Sequence, residues 1–260
     1  MVHYVSRPSL EGAVALVTGA AGGLGQAETE SLAEAGARVL AHARSPSIEF
    51  EDLCHRTGAE PLIQDLAAPE GARELIGKVE ELCGRLDVLV ANHATMSMAS
   101  LGEADMDEWW RVVDTNLLGN YALIQAAVRS MRACGEGGRV VVVASEWGVI
   151  GWPGASAYAS SKAGLISLVK CLGRELGREG IHVNAVAPGV IDTPQLAVDA
   201  EASGLELADM HKEYAQTIPM GRIGKPAEIA EVVTFLADPT HRAMVGQTVQ
   251  VNGGSTRSRV

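Results

Sequence analysis

The stretch "VALVTGAAGGLGQAETESLAEAG", residues 14–36, changes its pattern twice. Val14 to Thr18 is a short apolar run with β-branched residues, which reads as a buried strand. Gly19, Gly23 and Gly25 follow as TGxxxGxG, and "QAETESLAEAG" then takes helical spacing until Gly36 stops it. Glycines between a strand and a helix permit a tight turn. They also let backbone N–H groups at the helix N-terminus approach a pyrophosphate. The spacing is not GxGxxG, so the loop by itself reads either as a dinucleotide cradle or as a plain glycine turn. Leu24 lies between two of these glycines and belongs to the same candidate contact set.

Further along, "RVLAHA" (38–43), "PLIQ" (61–64), "LDVLVAN" (86–92), "RVVVVAS" (139–145), "HVNAVAP" (182–188) and "GQTVQVNGG" (246–254) read as strands. Helical patterns at 69–83, 107–134 (with a kink near Gly119) and from the Tyr158 region to about Arg178 separate several of them. Strands that are continuously apolar and alternate with helices predict an α/β, Rossmann-type, doubly wound parallel sheet of about seven strands, with helices on both faces. The expected organisation is a single domain over 1–260. Its least regular part, around 190–224, contains Pro194 and Pro219 and is expected to form a flexible substrate lid.

Composition narrows the function classes. Apolar residues make up 47% and aromatics 4%, with 29 glycines, which suits an aliphatic-core enzyme and not a disordered chain. A net charge of −11 disfavours sequence-independent binding to nucleic acid or to anionic membrane. Cys54, Cys83, Cys134 and Cys171 form no CxxC pair, so neither a disulfide framework nor a metal site is expected. No apolar run reaches the ~18 residues of a membrane span. The "MVHYVSRPSLEGA" start has no signal-type apolar core, and a soluble cytoplasmic chain is expected.

The second strand ends "AHARSP". A carboxylate at that place would bind a ribose 2′-hydroxyl, whereas an Arg accommodates a 2′-phosphate. Arg44 with no neighbouring acid therefore favours NADP over NAD, the other reading being a solvated surface arginine. Asp65, just past the third strand, either touches the adenine or caps its own turn, and Leu66 sits beside it.

"SAYASSKAGL", residues 156–165, puts Tyr158 and Lys162 four apart on one helix face, while Ser145 ends the fifth strand. Ligands of open parallel sheets bind at the carboxyl ends of strands, so Ser145, Tyr158 and the glycine loop can converge. A tyrosine with a pKa of about 10 is a poor base at neutral pH. A nearby ammonium and the charge of an oxidised nicotinamide lower it, and a shift of ~3 units corresponds to about 4 kcal/mol. Tyr158 then exchanges a proton with an alcohol or carbonyl oxygen during hydride transfer, and Ser145 holds that oxygen.

These motifs together resemble the short-chain dehydrogenase/reductase family over essentially the whole chain. The match comprises TGxxxGxG at 18–25, Asn92, Asn116 in "DTNLLGN", Ser145, Tyr158-x-x-x-Lys162 and "PGVIDT" at 188–193. The resemblance implies that Tyr158 is the acid/base, that Ser145 orients substrate, and that Lys162 lowers the Tyr158 pKa and binds the nicotinamide ribose. It also implies that Asn116 holds a relay water, that Pro188, Gly189, Val190 and Thr193 meet the cofactor, and that the assembly is a homotetramer built on two long helices. One departure is "ANHA" at 91–94, where His93 and Ala94 replace a small residue and a glycine of the family pattern. His93 either lines the site or fills space beside the loop.

The expected activity is NAD(P)(H)-dependent interconversion of a secondary alcohol and a ketone. An NAD(H)-preferring dehydrogenase and a non-catalytic dinucleotide-binding redox sensor are the alternatives, and a complete Ser–Tyr–Lys set argues against the sensor. Trp147 and Trp152 are candidate substrate walls, with core or interface packing as the other reading. A small alcohol or carbonyl compound is the expected substrate. An acyl chain on an acidic carrier, with Arg129, Arg132 and Arg174 as contacts, stays open.

Overall fold

The structure, a computed structural model, describes residues 9–256 apart from residue 203. Most of the N-terminal stretch read above, and both ends of the 1–260 span, lie outside the described residues. Seven strands form one sheet in the order β3-β2-β1-β4-β5-β6-β7, and every pairing is parallel. The strands are β1 (Val14–Thr18), β2 (Arg38–Ala43), β3 (Glu60–Ile63), β4 (Val88–Ala91), β5 (Gly138–Val143), β6 (Ile181–Pro188) and β7 (Thr248–Val251). Each expected strand is present, with β1 and β2 at the expected bounds and the ends of the others shifted by one to three residues.

Helices α1 (Gly23–Glu34), α2 (Ile48–Thr57) and α10 (Pro226–Ala237) supply residues to the core on one face. Helices α3 (Pro69–Cys83), α5 (Gly119–Cys134) and α7 (Ser156–Leu176) supply the other. Alternation along β5 divides the cores: Val140 and Val142 join the second, Val141 and Val143 the first. A strand buried on both faces must be apolar throughout, as "RVVVV" is.

Helices α2 and α10 were not legible at the sequence level. In α2, Ser47 accepts from the Phe50 N–H at 3.2 Å and Gly58 closes the helix at φ 71°. In α10, Pro226 fills the first turn and the Glu228 carboxylate accepts from the Lys225 N–H at 2.8 Å. The expected long helix at 107–134 is α4 (Met106–Val113) and α5 joined by a π turn at Asp114–Leu118, just before Gly119. A Cβ on Gly119 would lie 2.9 Å from the Leu66 carbonyl oxygen, so glycine is what lets this helix approach the turn after β3.

Chain order reverses between β1 and β4, and the crevice at their carboxyl ends is the ligand position this topology dictates. Residues 190–224 carry α8 (Pro194–Ala202) and α9 (Leu207–Thr217) over that crevice's edge. The ends of the segment are pinned together, Gly224 N–H to the Val190 carbonyl and Asp192 N–H to the Gly224 carbonyl, both at 2.9 Å. Between those ends a small separate core forms around Leu196, Ala200, Met210, Ile218 and Ile223.

Candidate active site

A cleft of about 880 Å³ opens at the carboxyl ends of the strands. It brings together Gly19, Gly23, Leu24, Gly25, Arg44, Asp65, Leu66, Asn92, Ser145, Trp147, Tyr158, Lys162, Pro188, Gly189, Val190 and Thr193. Of the expected site residues, Asn116 and Trp152 do not line it and stand one layer behind. No group of three or more metal-ligating side chains occurs among the described residues.

The glycine loop is closely packed. A Cβ on Gly25 would sit 2.3 Å from the Gly19 carbonyl oxygen, and one on Gly23 would meet Pro194 at 3.0 Å. Gly19 itself takes φ 69°, which side-chain-bearing residues rarely adopt. Helix α1 has Gly22 at its N-cap, with no side-chain cap and no acid in its first turn, so its N–H groups and dipole are left for an anion. A pyrophosphate fits this cradle. Asn92 Nδ2 fastens the loop by donating to the Thr18 and Gly19 carbonyls at 3.0 and 3.3 Å. Thr18 Oγ1 meets His93 Nδ1 at 3.0 Å. His93 is therefore a buried, hydrogen-bonded wall residue, and burial pushes its pKa down to about 3, leaving it neutral. Asp65 caps its own turn, accepting from the Ala67 N–H at 2.9 Å, while still facing the cleft.

Tyr158 stands in the first turn of α7. One turn on, the Lys162 ammonium donates to the Val143 carbonyl at 2.6 Å and lies 5.5 Å from the Tyr158 ring centroid. The lowered tyrosine pKa expected from the sequence does not hold for this protein alone. Burial pushes Tyr158 above its ordinary value, and only a hydrogen bond with Ser145 pulls it down. The cause is burial, which disfavours the phenolate, while the ammonium is tied to the Val143 carbonyl at the end of β5. The phenol is consequently protonated, the state a proton donor requires. Desolvation also lowers Lys162 to about 8, with Glu28 opposing that shift. Glu28, in α1, is fully buried, neither carboxyl oxygen has a hydrogen-bond partner among the described residues, and burial pushes it up to about 8.

Asn116 sits in the π turn and clamps the strand-end segment behind the cleft. Its Oδ1 accepts from the Thr95 N–H, and its Nδ2 donates to the Thr95 carbonyl, both at 2.8 Å, and to Ser161 Oγ at 3.1 Å. Both amide hydrogens are committed. Trp152 lies behind Trp147, stacked on it with ring centroids 5.1 Å apart.

Several cleft residues had escaped the sequence reading: Glu146, Met96, Arg111, Gln195 and Tyr214. Glu146 carried a signal, an acid placed directly after a strand-end serine. It is 5% exposed, accepts from Ser255 Oγ at 2.5 Å, and lies against Gly189, where a Cβ would come within 3.4 Å of its carboxyl carbon. Burial raises its pKa while the Ser255 and Asn252 bonds lower it. Nothing in the pattern around Tyr214 or Gln195 marked them, because helices that pack only on themselves leave their inward face unassigned.

Sequence comparison agrees with this geometry. A family model described as enoyl-(acyl carrier protein) reductase matches residues 19–256. The 3-oxoacyl-[acyl-carrier-protein] reductase FabG of Thermotoga maritima is 36% identical over 252 residues, covering 94% of this chain and 98% of that one. The chain is a short-chain dehydrogenase/reductase. Membership makes it an oxidoreductase. The FabG of Pseudomonas aeruginosa is 37% identical over 95% of this chain and 98% of its own. Among solved structures, a putative 2-deoxy-d-gluconate 3-dehydrogenase from Agrobacterium tumefaciens with bound NADP superposes at TM-score 0.85. It is 33% identical and covers 96% of this chain and 99% of its own. The Pseudomonas aeruginosa RhlG/NADP complex gives a TM-score of 0.88 at 32% identity, covering 97% of this chain and 99% of that one. No helix among the described residues of this short-chain dehydrogenase/reductase is long and apolar enough to cross a membrane.

Proposed function

We propose that the protein is an NADP(H)-dependent reductase that interconverts a ketone and a secondary alcohol, with Tyr158 as the general acid/base. The observation that carries this reading is the meeting of Ser145, Tyr158 and Lys162 with the glycine loop in one cleft. A bound nicotinamide dinucleotide would supply or accept the hydride. The α1 N-terminus and Gly19–Gly25 would hold its pyrophosphate, Arg44 its 2′-phosphate, and Pro188–Val190 with Thr193 its nicotinamide end. The two structural neighbours that carry NADP support this choice over NAD.

In the reducing direction the substrate carbonyl oxygen lies against the Ser145 hydroxyl and the Tyr158 phenol. Burial keeps the phenol protonated, so it gives its proton to that oxygen as negative charge develops there. Ser145, already bonded to Tyr158, donates to the same oxygen and orients the carbonyl. Lys162, held by the Val143 carbonyl, stabilises the phenolate left behind, and a cation is worth most in a site from which water is excluded. Asn116 braces Thr95 beneath the cleft. Residues 190–224 close over the substrate as a lid.

The curated relatives are named for reduction of 3-oxoacyl groups on acyl carrier protein, which is this same reaction on a thioester-bearing chain. That is the second reading of the substrate. Tyr158→Phe tests the common chemistry. It should cut turnover of any accepted ketone by about 10²-fold or more while NADPH affinity, read by fluorescence titration, changes only a few-fold. Unaltered turnover would remove Tyr158 from the mechanism.

A further inference from the structure

The aromatic side of the cleft bears on what flanks the reacting carbonyl; the reading rests on the ketone chemistry proposed for Tyr158. Trp147 follows Ser145 by two residues, and its N–H donates to Ser145 Oγ at 3.2 Å. It opens the short helix α6 (Trp147–Ile150). A Cβ on Gly148 in this helix would come within 2.8 Å of the backbone at Lys162 and Ala163, so α6 lies directly on α7. Gly151, at φ 71°, then turns the chain back and lays Trp152 over Trp147. The two indoles are parallel within 5°, with centroids 5.1 Å apart, and the Tyr158 ring meets Trp147 at 84° and 6.0 Å. Offset-parallel and edge-on contacts are the favoured aromatic geometries, so Trp147 is fixed as a flat wall beside the reacting hydroxyl.

The carboxylates that line the cleft are Asp65, Asp199 and, between Ser145 and Trp147, Glu146. The Lys and Arg side chains that line it are Arg44, at the glycine-loop end, Lys162, bonded to Val143, and Arg111. Arg111 is engaged by both carboxylate oxygens of Glu108, at 2.6 and 2.5 Å. Each lysine or arginine of the described lining thus already has an assigned partner: the cofactor phosphate for Arg44, Val143 for Lys162 and Glu108 for Arg111. On the outer face, Arg132 pairs twice with Glu179 at 2.6 and 2.7 Å, while Arg129 donates to the neutral Gln125 amide oxygen at 3.2 Å. Met96 and Leu196 add apolar surface to the cleft lining.

We propose that the substrate is an uncharged ketone whose carbonyl is part of, or attached to, a planar ring that lies against Trp147, and that linear acyl thioesters are poorer substrates. The ring gains stacking with a wall that is already immobilised, and little ordering is required on binding.

The test is steady-state kinetics with NADPH on 1-indanone, 2-butanone and acetoacetyl-CoA. Expected are a kcat/KM for 1-indanone at least tenfold above that for acetoacetyl-CoA, and a tenfold loss on 1-indanone in Trp147→Leu with less than threefold change on 2-butanone. Equal or better turnover of acetoacetyl-CoA, or an equal loss on both ketones in the variant, would overturn the ring assignment while leaving the ketone chemistry standing. No turnover of any of the three with NADPH bound would instead defeat the underlying reading and the ring assignment with it. Should Trp147→Leu fail to fold, Trp147→Phe and quenching of wild-type indole fluorescence by 1-indanone replace it. Absence of saturable quenching would count against the proposal.

Discussion

Two ionisable side chains, Arg44 and Glu28, illustrate how much a single position can decide. Arg44 lines the cleft just beyond β2, where no acid competes with a phosphate. Arg44→Asp should weaken NADPH by about tenfold or more, since a charge-assisted pair is replaced by repulsion, and leave NADH within about threefold. Fluorescence titration of both cofactors checks this, and parallel losses would show that Arg44 is not the phosphate partner. Glu28 works against the fold. Its pKa is raised from 4.5 to about 8 in the folded chain, so between those values the folded state keeps a proton that the unfolded state has lost. The contribution of Glu28 to stability therefore falls as pH rises through that window, by about 1.4 kcal/mol per unit for one group. Lys162, depressed from 10.5 to about 8, changes its contribution at the alkaline end of the window and beyond, and His93, depressed from 6.5 to about 3, opposes Glu28 below pH 6.5. Both are common to wild type and Glu28→Gln and cancel in their difference. Urea unfolding at pH 5 and at pH 7.5 should show the wild type losing stability relative to Glu28→Gln. A constant difference between the two proteins would mean that Glu28 does not titrate there.

Among the elements, the β5–α6 connection does more than carry Ser145. Glu146 N–H donates to the Pro188 carbonyl at 2.9 Å while its carboxylate holds Ser255, so one residue joins three strand ends. The Gly189 N–H in turn donates to the Val251 carbonyl at 3.1 Å. Glu146→Ala should loosen the Pro188–Val190 cofactor loop, raising KM for NADPH by about 3- to 10-fold, an effect of one or two hydrogen bonds, with kcat changed less. Steady-state kinetics at saturating ketone reads the split, and a pure kcat loss would place Glu146 in the chemistry instead. The same scale shows where pattern reading stopped. Helices α3 and α7 were legible from Pro69 and from the Tyr158–Lys162 face. Helix α2 was not, because its ten residues bury only Phe50, Leu53 and Cys54 and its periodicity is correspondingly faint. The π turn at Asp114–Leu118 has no pattern of its own and arises where α5 must meet both the Leu66 turn and Thr95.

For the whole molecule, α4, the π turn and α5 leave Trp110, Leu118 and Tyr121 exposed at 52%, 46% and 45%. Apolar side chains on adjoining helical elements are what a helix-to-helix subunit contact would bury, and a homotetramer built there is the assembly we propose. Light scattering coupled to size exclusion should give four times the 27.2 kDa chain mass for the wild type. Tyr121→Glu should give a smaller species with an unchanged circular dichroism spectrum. A wild-type monomer at micromolar concentration would rule this assembly out.

The sequence by itself determined the parallel sheet, the glycine cradle and the Ser145–Tyr158–Lys162 set. Those depend on short-range periodicity and on fixed offsets within a strand–turn–helix unit, which a linear pattern records. Only the tertiary structure decided the protonation of Tyr158, the bracing role of Asn116, the stacking of Trp152 behind Trp147 and the entry of Glu146 into the cofactor wall. Each of these depends on which side chains from distant segments exclude water from one another. Desolvation and close packing are properties of a three-dimensional neighbourhood, and Lys162 four residues from Tyr158 says nothing of the Val143 carbonyl that holds it.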